Sequence, residues 1–398
     1  MIKVLNVVGA RPNFVKIAPL LARMREHAGI RPILVHTGQH SSRDMVDCFW
    51  QDLRIPRPDF VLSGDAARRE LAMTQALAQI MGFERPDVVL VVGDVNSTVA
   101  AAVAATELGI PIAHVEAGLR SFDITMPEEV NRIITDGVST LWFASEPSAV
   151  CNLMAEGYLP ERVFFVGNVM IDSLRQCLPL AQRSAALRRL GLVGHKYALA
   201  TLHRPATVDD REVLRQVWPA LESIAARVPL VFPVHPRTQA RLRQFGLERR
   251  SLRQARRRGV ILMIPPLPYL EFLHLESKAC LVLTDSGGVQ EETTAMGVAC
   301  LTLRNNTERH ITVTQGTNQI VGLDPVRIVN AAHEILAGRA KQGRIPQLWD
   351  GHAAERIVNV LRKHFGAPEH APQLAPPQAS QRTAPRIAQS RDPLCLPN

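Results

Sequence analysis

The stretch CLVLTDSGGVQEETTAMG, residues 280–297, changes its periodicity at two adjacent glycines. Its first four residues, Cys280 to Leu283, form a short and partly β-branched apolar run that predicts a buried strand. The segment VQEETTAM after the glycines has helical spacing and is followed by Gly297, where a helix would end. The glycines therefore mark a strand-to-helix turn, the repeating unit of an α/β fold.

This turn has the features of a phosphate-binding site. At a helix start the first backbone N–H groups lack partners and carry the positive end of the helix dipole, and glycines let an anion approach them closely. Ser286, Gly287 and Gly288 are therefore predicted to hold a phosphate. Glu292, about one helical turn further on, is predicted to accept hydrogen bonds from the ribose of the same nucleotide. The alternative is an ordinary helix start capped by Asp285 or Ser286.

Strand-like segments alternate with amphipathic helices along most of the chain. Six such segments come first, namely KVLNVVG, RPILVHTG, DVVLVVGD, IPIAHVE, TLWFASE and RVFFVGN. After a Leu- and Arg-rich segment the rhythm restarts with YALATLHR, LVFPVHP, VILMIPPL, CLVLTDS and VACLTLR. A βαβ rhythm makes a parallel sheet with helices on both faces, so the pattern predicts two doubly wound, Rossmann-like domains.

The domain boundaries follow from this restart. A chain of 398 residues is long enough for two independent cores. We expect a first domain over 1–172 and a second over 173–352, with a helix over 353–365 that can pack on the first domain. The tail 366–398 is rich in Pro, Gln and Ala and is expected to be disordered.

Composition excludes several classes of protein. The net charge of +9 is concentrated partly in the arginine-rich residues 237–260, which we interpret first as a solvated face and second as a site for an anionic partner. No nucleic-acid motif accompanies them, so no nucleic-acid partner is expected. No apolar run is long enough for a membrane span and no secretory signal is evident, so a cytoplasmic protein is expected. The six cysteines include no CxxC pair, which gives no sign of a metal site or disulfide.

Charged and polar residues gather where the predicted strands end. They are Arg11 and Lys16 after the first strand, Asp94, Glu116, His203 with Arg204, and His235. In open α/β sheets ligands bind beyond the carboxyl ends of the strands, so these side chains should face one cleft. Each alone has a structural explanation as a cap or loop residue, but together they indicate a catalytic site.

Two absent motifs narrow the chemistry. There is no GxGxxG after the first strand and no GxxxxGK[ST] anywhere, so neither a dinucleotide nor an ATP P-loop is indicated. We therefore expect no cofactor. An enzyme that acts on a nucleotide sugar without a nicotinamide must work by breaking the bond to the diphosphate.

Ten ordered motifs resemble a known family. They are GARPNFVK, TGQH, GDVNST, HVEAGLRSFD, MPEEVNR, VGNVMIDSL, HRP, PVHPRT, TDSGGVQEE and NTER. In this order and spacing they resemble the non-hydrolysing UDP-N-acetylglucosamine 2-epimerases, from about residue 3 to about residue 362. The resemblance implies a fold of the glycosyltransferase-B type, with UDP in the cleft between two domains, and a homodimer.

The resemblance also implies roles for individual residues. The catalytic acids match Asp94, Glu116 and Glu128, the first glutamate of MPEE, and the catalytic histidine matches His203. Phosphate and uridine contacts fall on Arg11, Lys16, His235, Phe272, Ser286, Gly287, Gly288, Glu292 and Arg309. A second, activating substrate site falls near Gln39, His40 and the PEE loop.

The implied reaction inverts C2 of the sugar and supplies precursors for surface polysaccharide. It interconverts UDP-N-acetylglucosamine and UDP-N-acetylmannosamine through elimination of UDP to 2-acetamidoglucal and re-addition to the other face. Ala206 and Thr207 in HRPAT, His310 after NTER and Leu267 depart from the family pattern and leave the exact sugar open. The alternatives are a 2-epimerase for a UDP-diacetamido-glucuronate, a hydrolysing epimerase, a glycosyltransferase, a silent nucleotide-sugar sensor, and a nucleic-acid binder that uses its arginines.

Overall fold

The computed structural model of the protein describes residues 1–38, 49–247, 259 and 261–366, and the two-residue strand Leu394–Cys395. Gln39 and His40 lie outside the described residues. So do most of the arginine-rich segment after residue 247 and, apart from Gly366 and that strand, the tail.

The first domain is built on a parallel sheet of seven strands in the order β3-β2-β1-β4-β5-β6-β7. These strands are β1 (Ile2–Val8), β2 (Ile30–His36), β3 (Phe60–Leu62), β4 (Val88–Val92), β5 (Ile112–Val115), β6 (Leu141–Ala144) and β7 (Val163–Phe165). The helices are α1 (Arg11–Arg25), α2 (Glu70–Glu84), α3 (Asn96–Glu107), α4 (Pro127–Val138), α5 (Pro147–Ala155) and α6 (Val169–Ala181). The strand Leu394–Cys395 pairs antiparallel with β3.

The second domain has a parallel sheet of six strands in the order β10-β9-β8-β11-β12-β13. These are β8 (Ala198–Thr201), β9 (Leu230–Pro233), β10 (Ile261–Ile264), β11 (Leu281–Thr284), β12 (Cys300–Thr302) and β13 (Asn318–Ile320). Its helices are α7 (Ala186–Arg189), α8 (Pro205–Val208), α9 (Arg211–Ala225), α10 (Pro236–Gln244), α11 (Tyr269–Lys278), α12 (Gly287–Met296), α13 (His310–Thr314) and α14 (Pro325–Leu336).

Strand β4 shows that the sheet of the first domain is buried on both faces. All five of its residues are buried; Val88, Leu90 and Val92 belong to the core on one face, while Val89 and Val91 belong to the core on the other. A strand covered by helices on both faces is apolar throughout, because successive side chains point to opposite sides. The two parallel sheets confirm the predicted pair of doubly wound domains.

The last helix, α15 (Ala353–Phe365), returns to the first domain. It packs on α1 and contributes Ile357 and Leu361 to that domain's core. The carboxylate of Asp172 on α6 accepts hydrogen bonds from the N–H groups of Ala353 and Ala354, at 3.2 and 2.8 Å, and so satisfies the start of this helix. Among the described helices, none has the length and apolar character needed to cross a bilayer.

Candidate active site

Each sheet has a point where the strand order reverses. The candidate site is formed by residues that follow the strands at these two points, one in each domain. In the first domain β1 and β4 are neighbours, and Lys16 and Asp94 follow them. In the second domain β8 and β11 are neighbours, and they are followed by His203 and by Gly287. Adjacent parallel strands whose connections leave in opposite directions open a crevice at their carboxyl ends. The topology therefore explains why residues distant in sequence can meet here.

Glu116 is held by cations of both domains. It is 5% exposed, and its two oxygens are ion-paired with Lys16 of the first domain and Arg309 of the second. Burial alone would raise the pKa of Glu116, but Arg309 and Lys16 outweigh it and lower that pKa. Its φ of 76° is left-handed, a conformation that costs a non-glycine residue on the order of 1–3 kcal/mol and that concentrates at functional sites.

Asp94 is held by a different arginine. Arg132 Nη2 donates to Asp94 Oδ2 at 2.5 Å, and Asn131 Nδ2 donates to the Asp94 backbone oxygen at 2.9 Å. Burial opposes ionisation of Asp94, but Arg132 and then Lys16 more than compensate, so its pKa is lowered. Asp94 and Glu116 are thus both carboxylates at neutral pH, the form that a base requires.

The two glutamates of MPEE have different surroundings. Glu129 is buried and accepts hydrogen bonds from the backbone N–H groups of Ser121 and Phe122, at 2.9 Å each, and from Arg132 at 2.6 Å. Glu128 is partly exposed, and its Oε1 lies 3.5 Å from Arg204 Nη1 of the second domain. Glu129 therefore stabilises a loop, whereas Glu128 faces the other domain.

His203 is oriented by Asp285. The Asp285 carboxylate accepts the backbone N–H groups of His203 and Arg204, each at 2.9 Å, and its Oδ1 lies 3.2 Å from His203 Nδ1. Burial works against ionisation of Asp285, but His203 and these hydrogen bonds lower its pKa. The rings of His203 and His235 are 6.1 Å apart, and His235 Nδ1 accepts the N–H of Arg237 as the cap of α10.

Helix α12 starts with the two glycines. Its N-cap, Ser286, makes no side-chain capping hydrogen bond, so the capping alternative is not seen for this residue. A Cβ atom on Gly287 would lie 2.7 Å from Glu308 Oε1, and one on Gly288 would lie 3.0 Å from Met170 Cε. The absence of a side chain at both positions therefore relieves crowding at the start of the helix.

Three predicted binding residues lie at the edges of this arrangement. Glu292 is buried in α12 and accepts the Tyr269 hydroxyl at 2.7 Å, and its burial raises its pKa to about 7. Phe272 packs against the core of the second domain. Arg11 is the first residue of α1, and partial burial lowers its pKa, an effect that a bound anion would offset.

Sequence reasoning missed a buried acid at the centre of the site. Glu308 accepts a hydrogen bond from Arg304 at 2.9 Å and lies 3.7 to 3.8 Å from Arg132, Arg204 and Arg309. Burial would raise the pKa of Glu308, but these four arginines hold it well below its usual value. The motif NTER contains both charges, yet only Arg309 was assigned. Arg132 was missed in the same way, and Asp285 was considered only as a helix cap, because a motif does not show which acid pairs with which base.

The described residues contain no group of three histidine, cysteine, aspartate or glutamate side chains that could hold a metal ion. Cys151, Cys177, Cys280 and Cys300 are free thiols.

The fold and the site together define an enzyme of the glycosyltransferase-B architecture with acids and cations between its two domains. A family model described as UDP-N-acetylglucosamine 2-epimerase matches residues 22–362. The chain belongs to this family, as the ten motifs predicted.

Individual relatives agree with this assignment. The UDP-N-acetylglucosamine 2-epimerase of Methanococcus maripaludis is 37% identical over 91% of this chain and 98% of its own length. The UDP-2,3-diacetamido-2,3-dideoxy-D-glucuronate 2-epimerase of Pseudomonas aeruginosa is 39% identical over 91% of this chain and 99% of its own. A crystal structure of the Methanocaldococcus jannaschii UDP-GlcNAc 2-epimerase with UDP-GlcNAc and UDP superposes with a TM-score of 0.83, at 37% identity over 91% of this chain and 100% of that one.

Proposed function

We propose that the protein interconverts UDP-N-acetylglucosamine and UDP-N-acetylmannosamine as a non-hydrolysing isomerase. The observation that carries this proposal is the pairing of ionised Glu116 with Lys16 and Arg309. It brings a base and two phosphate-binding cations together at one point. An elimination needs that combination, because proton removal and departure of the diphosphate take place on adjacent carbons.

Departure of the diphosphate is the step that the second domain supports. Breaking the C1–O bond develops negative charge on the phosphate oxygens. The N-terminus of α12 at Gly287, together with Arg309 and Lys16, presents positive charge to these phosphate oxygens. Arg11 at the start of α1 adds a further cation. His203, oriented by Asp285, would donate to or position the leaving phosphate.

Carboxylates of the first domain carry out the proton transfer at C2. The C2 proton becomes removable as positive charge grows at C1, and a positioned carboxylate can take it. Inversion requires a base on each face of the sugar. Asp94 and Glu116 follow different strands, and Glu128 approaches from the start of α4, so the three carboxylates can serve opposite faces. Re-addition of UDP to C1 of the glycal intermediate, with a proton delivered to C2 by a protonated carboxyl on the opposite face, then returns a nucleotide sugar without a cofactor.

A second substrate deserves a direct test. The diacetamido-glucuronate relative is as similar to this chain as the N-acetylglucosamine relative, so identity does not separate the two sugars. Its extra carboxylate would need a cation, and Arg204, which lies 3.5 Å from Glu128 and 3.7 Å from Glu308, is a cation between the two domains. The competing proposal is therefore a 2-epimerase for that sugar.

The experiment is incubation of the purified protein with each nucleotide sugar separately, followed by chromatography of nucleotides and sugars. UDP-N-acetylmannosamine formed from UDP-N-acetylglucosamine, with UDP and free sugar remaining at trace level, supports the isomerase. Stoichiometric UDP and free N-acetylmannosamine would mark a hydrolysing enzyme. Conversion of only the diacetamido sugar would favour the competing proposal, and no conversion of either would contradict both.

We further propose a homodimer that forms through α4. Val130, Ile133 and Ile134 recur on one face of this helix and are 40%, 43% and 40% exposed. A contiguous exposed apolar patch is typical of an interface. Light scattering should give twice the chain mass, and Ile133→Glu should give the monomer mass. A wild-type protein that remains a monomer at high concentration would contradict this proposal.

A further inference from the structure

Two carboxyl groups lie against each other behind the phosphate-binding turn. Glu276 on α11 is fully buried, and Glu292 on α12 is 3% exposed. The two side chains are within hydrogen-bonding reach of each other. Neither Glu276 oxygen receives a hydrogen bond from a donor in the described part of the chain, whereas Glu292 Oε1 accepts the Tyr269 hydroxyl at 2.7 Å. The pair belongs to no predicted catalytic group.

Among the described residues, no positive charge compensates the pair. The titratable groups that face it are the Tyr269 hydroxyl of α11 itself, the Cys177 thiol of α6 and the Cys300 thiol of β12. Burial raises the pKa of both thiols to about 12, so both are neutral between pH 6 and pH 8. No lysine, arginine or histidine that the structure describes offsets either carboxyl. Asp52 and Arg54 both act on Cys177, and neither acts on Glu276 or Glu292.

Electrostatics then decides how many protons the pair holds. Two adjacent buried carboxylates without a cation repel each other strongly, so the pair retains one proton and titrates as a unit. Glu276 is the member that keeps this proton, because it is more deeply buried and neither of its oxygens receives a hydrogen bond in the described part of the chain, whereas Glu292 accepts the Tyr269 hydroxyl. A protonated carboxyl can donate a hydrogen bond to an ionised neighbour, and such bonds are short and strong.

We propose that Glu276 is a positioning residue of the nucleotide site. It keeps a proton and uses it to donate a hydrogen bond to Glu292, so that Glu292 presents an ionised oxygen to the ribose diol. This inference rests on the proposed function, in which Glu292 contacts the ribose. A hydroxyl pair donates best to a carboxylate, since a protonated acid offers fewer acceptor sites. Recognition of the diol therefore strengthens as pH rises through about 7, where Glu292 ionises.

The experiment measures recognition of the diol separately from recognition of the diphosphate. Titration calorimetry with UDP and with 2′,3′-dideoxy-UDP gives two dissociation constants at each pH, and the ratio of the dideoxy-UDP constant to the UDP constant cancels the pH effects that are common to both nucleotides. In the wild type this ratio should rise about tenfold between pH 6 and pH 8, because hydrogen bonds to a charged group are worth about that much or more. Binding of UDP at pH 6.5 should also release more protons than binding of the dideoxy analogue.

The variants test the donor role. Glu276→Gln keeps a neutral donor of the same shape, so it should retain the wild-type ratio at pH 7. Glu276→Met removes the donor, so it should lower that ratio about tenfold at pH 7 and shift the rise toward higher pH. Glu271→Met is the control, because Glu271 lies on the same helix but pairs with Arg189 at the surface. It should behave as the wild type.

The outcomes separate this inference from the proposed function. Failure of both nucleotides to bind the wild type would count against the proposed function itself. A ratio that stays constant with pH in the wild type, or that is unchanged in Glu276→Met, would overturn the role of Glu276 while leaving the proposed function intact.

If Glu276→Met does not fold, infrared spectra of the wild type and Glu276→Gln at pH 7 test the protonation of Glu276. A protonated carboxyl band should be lost in Glu276→Gln, and equal spectra would overturn the inference.

Discussion

Arg309 of the second domain is ion-paired with Glu116 of the first domain, and Glu116 is in turn ion-paired with Lys16. The three side chains are buried, so this link is poorly screened by solvent and stabilises contact between the domains. In the proposed mechanism, a diphosphate that enters the site would take over Lys16 and Arg309 as partners. Glu116 would then be released from two cations at the step in which it acts as a base.

The first prediction follows from this exchange of partners. Glu116→Gln removes the base but leaves both cations for the diphosphate. We expect the rate of epimerisation to fall by at least about 10³-fold, in the range typical of loss of general-base catalysis, while the dissociation constant for UDP changes by only a few-fold. Steady-state kinetics and calorimetry measure the two effects. A variant that loses UDP binding as completely as turnover would show that Glu116 mainly holds the cations in place.

A second prediction distinguishes the neighbouring glutamates of MPEE. Glu128→Gln should lower turnover about 10²-fold or more with little change in thermal stability, because Glu128 is partly exposed and faces the cleft. Glu129→Gln should lower the free energy of unfolding by about 2–4 kcal/mol, because the Glu129 carboxylate holds two backbone N–H groups and Arg132. Each variant is the control for the other. The reverse result would exchange the two assignments.

The glycine turn gives a third prediction. Gly287→Ala places a Cβ atom 2.7 Å from Glu308 Oε1, so Glu308 must shift at the helix start where the phosphate is proposed to bind. We expect the KM for the UDP-sugar to rise about tenfold or more. Gly297→Ala is a control on the same helix, since its Cβ would meet nothing within 4 Å, although its φ of 72° makes it costly for stability. Equal effects of the two variants on KM would argue against a phosphate at Gly287.

A fourth prediction concerns a buried network that supports the site without taking part in it. Asp136 contacts His114 and Arg120, each at 2.7 Å, and His114 Nε2 lies 3.0 Å from the Gly93 carbonyl, next to Asp94. Breaking a buried ion pair on one side is expected to cost about 3–5 kcal/mol, so Asp136→Asn should be strongly destabilised in urea.

The difference in unfolding free energy between the wild type and Asp136→Asn should depend on pH with a definite sign. Burial opposes ionisation of Asp136, but His114 and Arg120 lower its pKa below the unfolded value of about 3.9. The stabilisation is therefore fully present above the unfolded pKa and is lost as pH falls through the folded pKa. The gap in unfolding free energy between wild type and Asp136→Asn should stay constant from pH 5 to pH 8 and shrink below pH 4. A gap that widens in acid would contradict the ionised network.

The sequence predicts much of this molecule because its signals are local. The change of period at Gly287 and Gly288 predicts the β11–α12 turn, and strand ends predict which edge of the sheet carries Asp94 and Glu116. Ion pairing is not local. Arg309 meets Glu116 from the other domain, and Glu308 lies among four arginines, so neither contact follows from spacing along the chain. Glu128 and Glu129 are adjacent and chemically identical, and only the fold separates their surroundings.

The central claim, that a carboxylate removes the proton from C2, is tested most directly by proton NMR in deuterated water. The purified protein is incubated with UDP-N-acetylglucosamine and no cofactor, and Glu116→Gln serves as the matched control. We predict that UDP-N-acetylmannosamine appears and that deuterium enters C2 of both sugars, with the exchange abolished in the variant. Epimerisation that retains hydrogen at C2 would contradict the account, as would exchange that persists unchanged in Glu116→Gln.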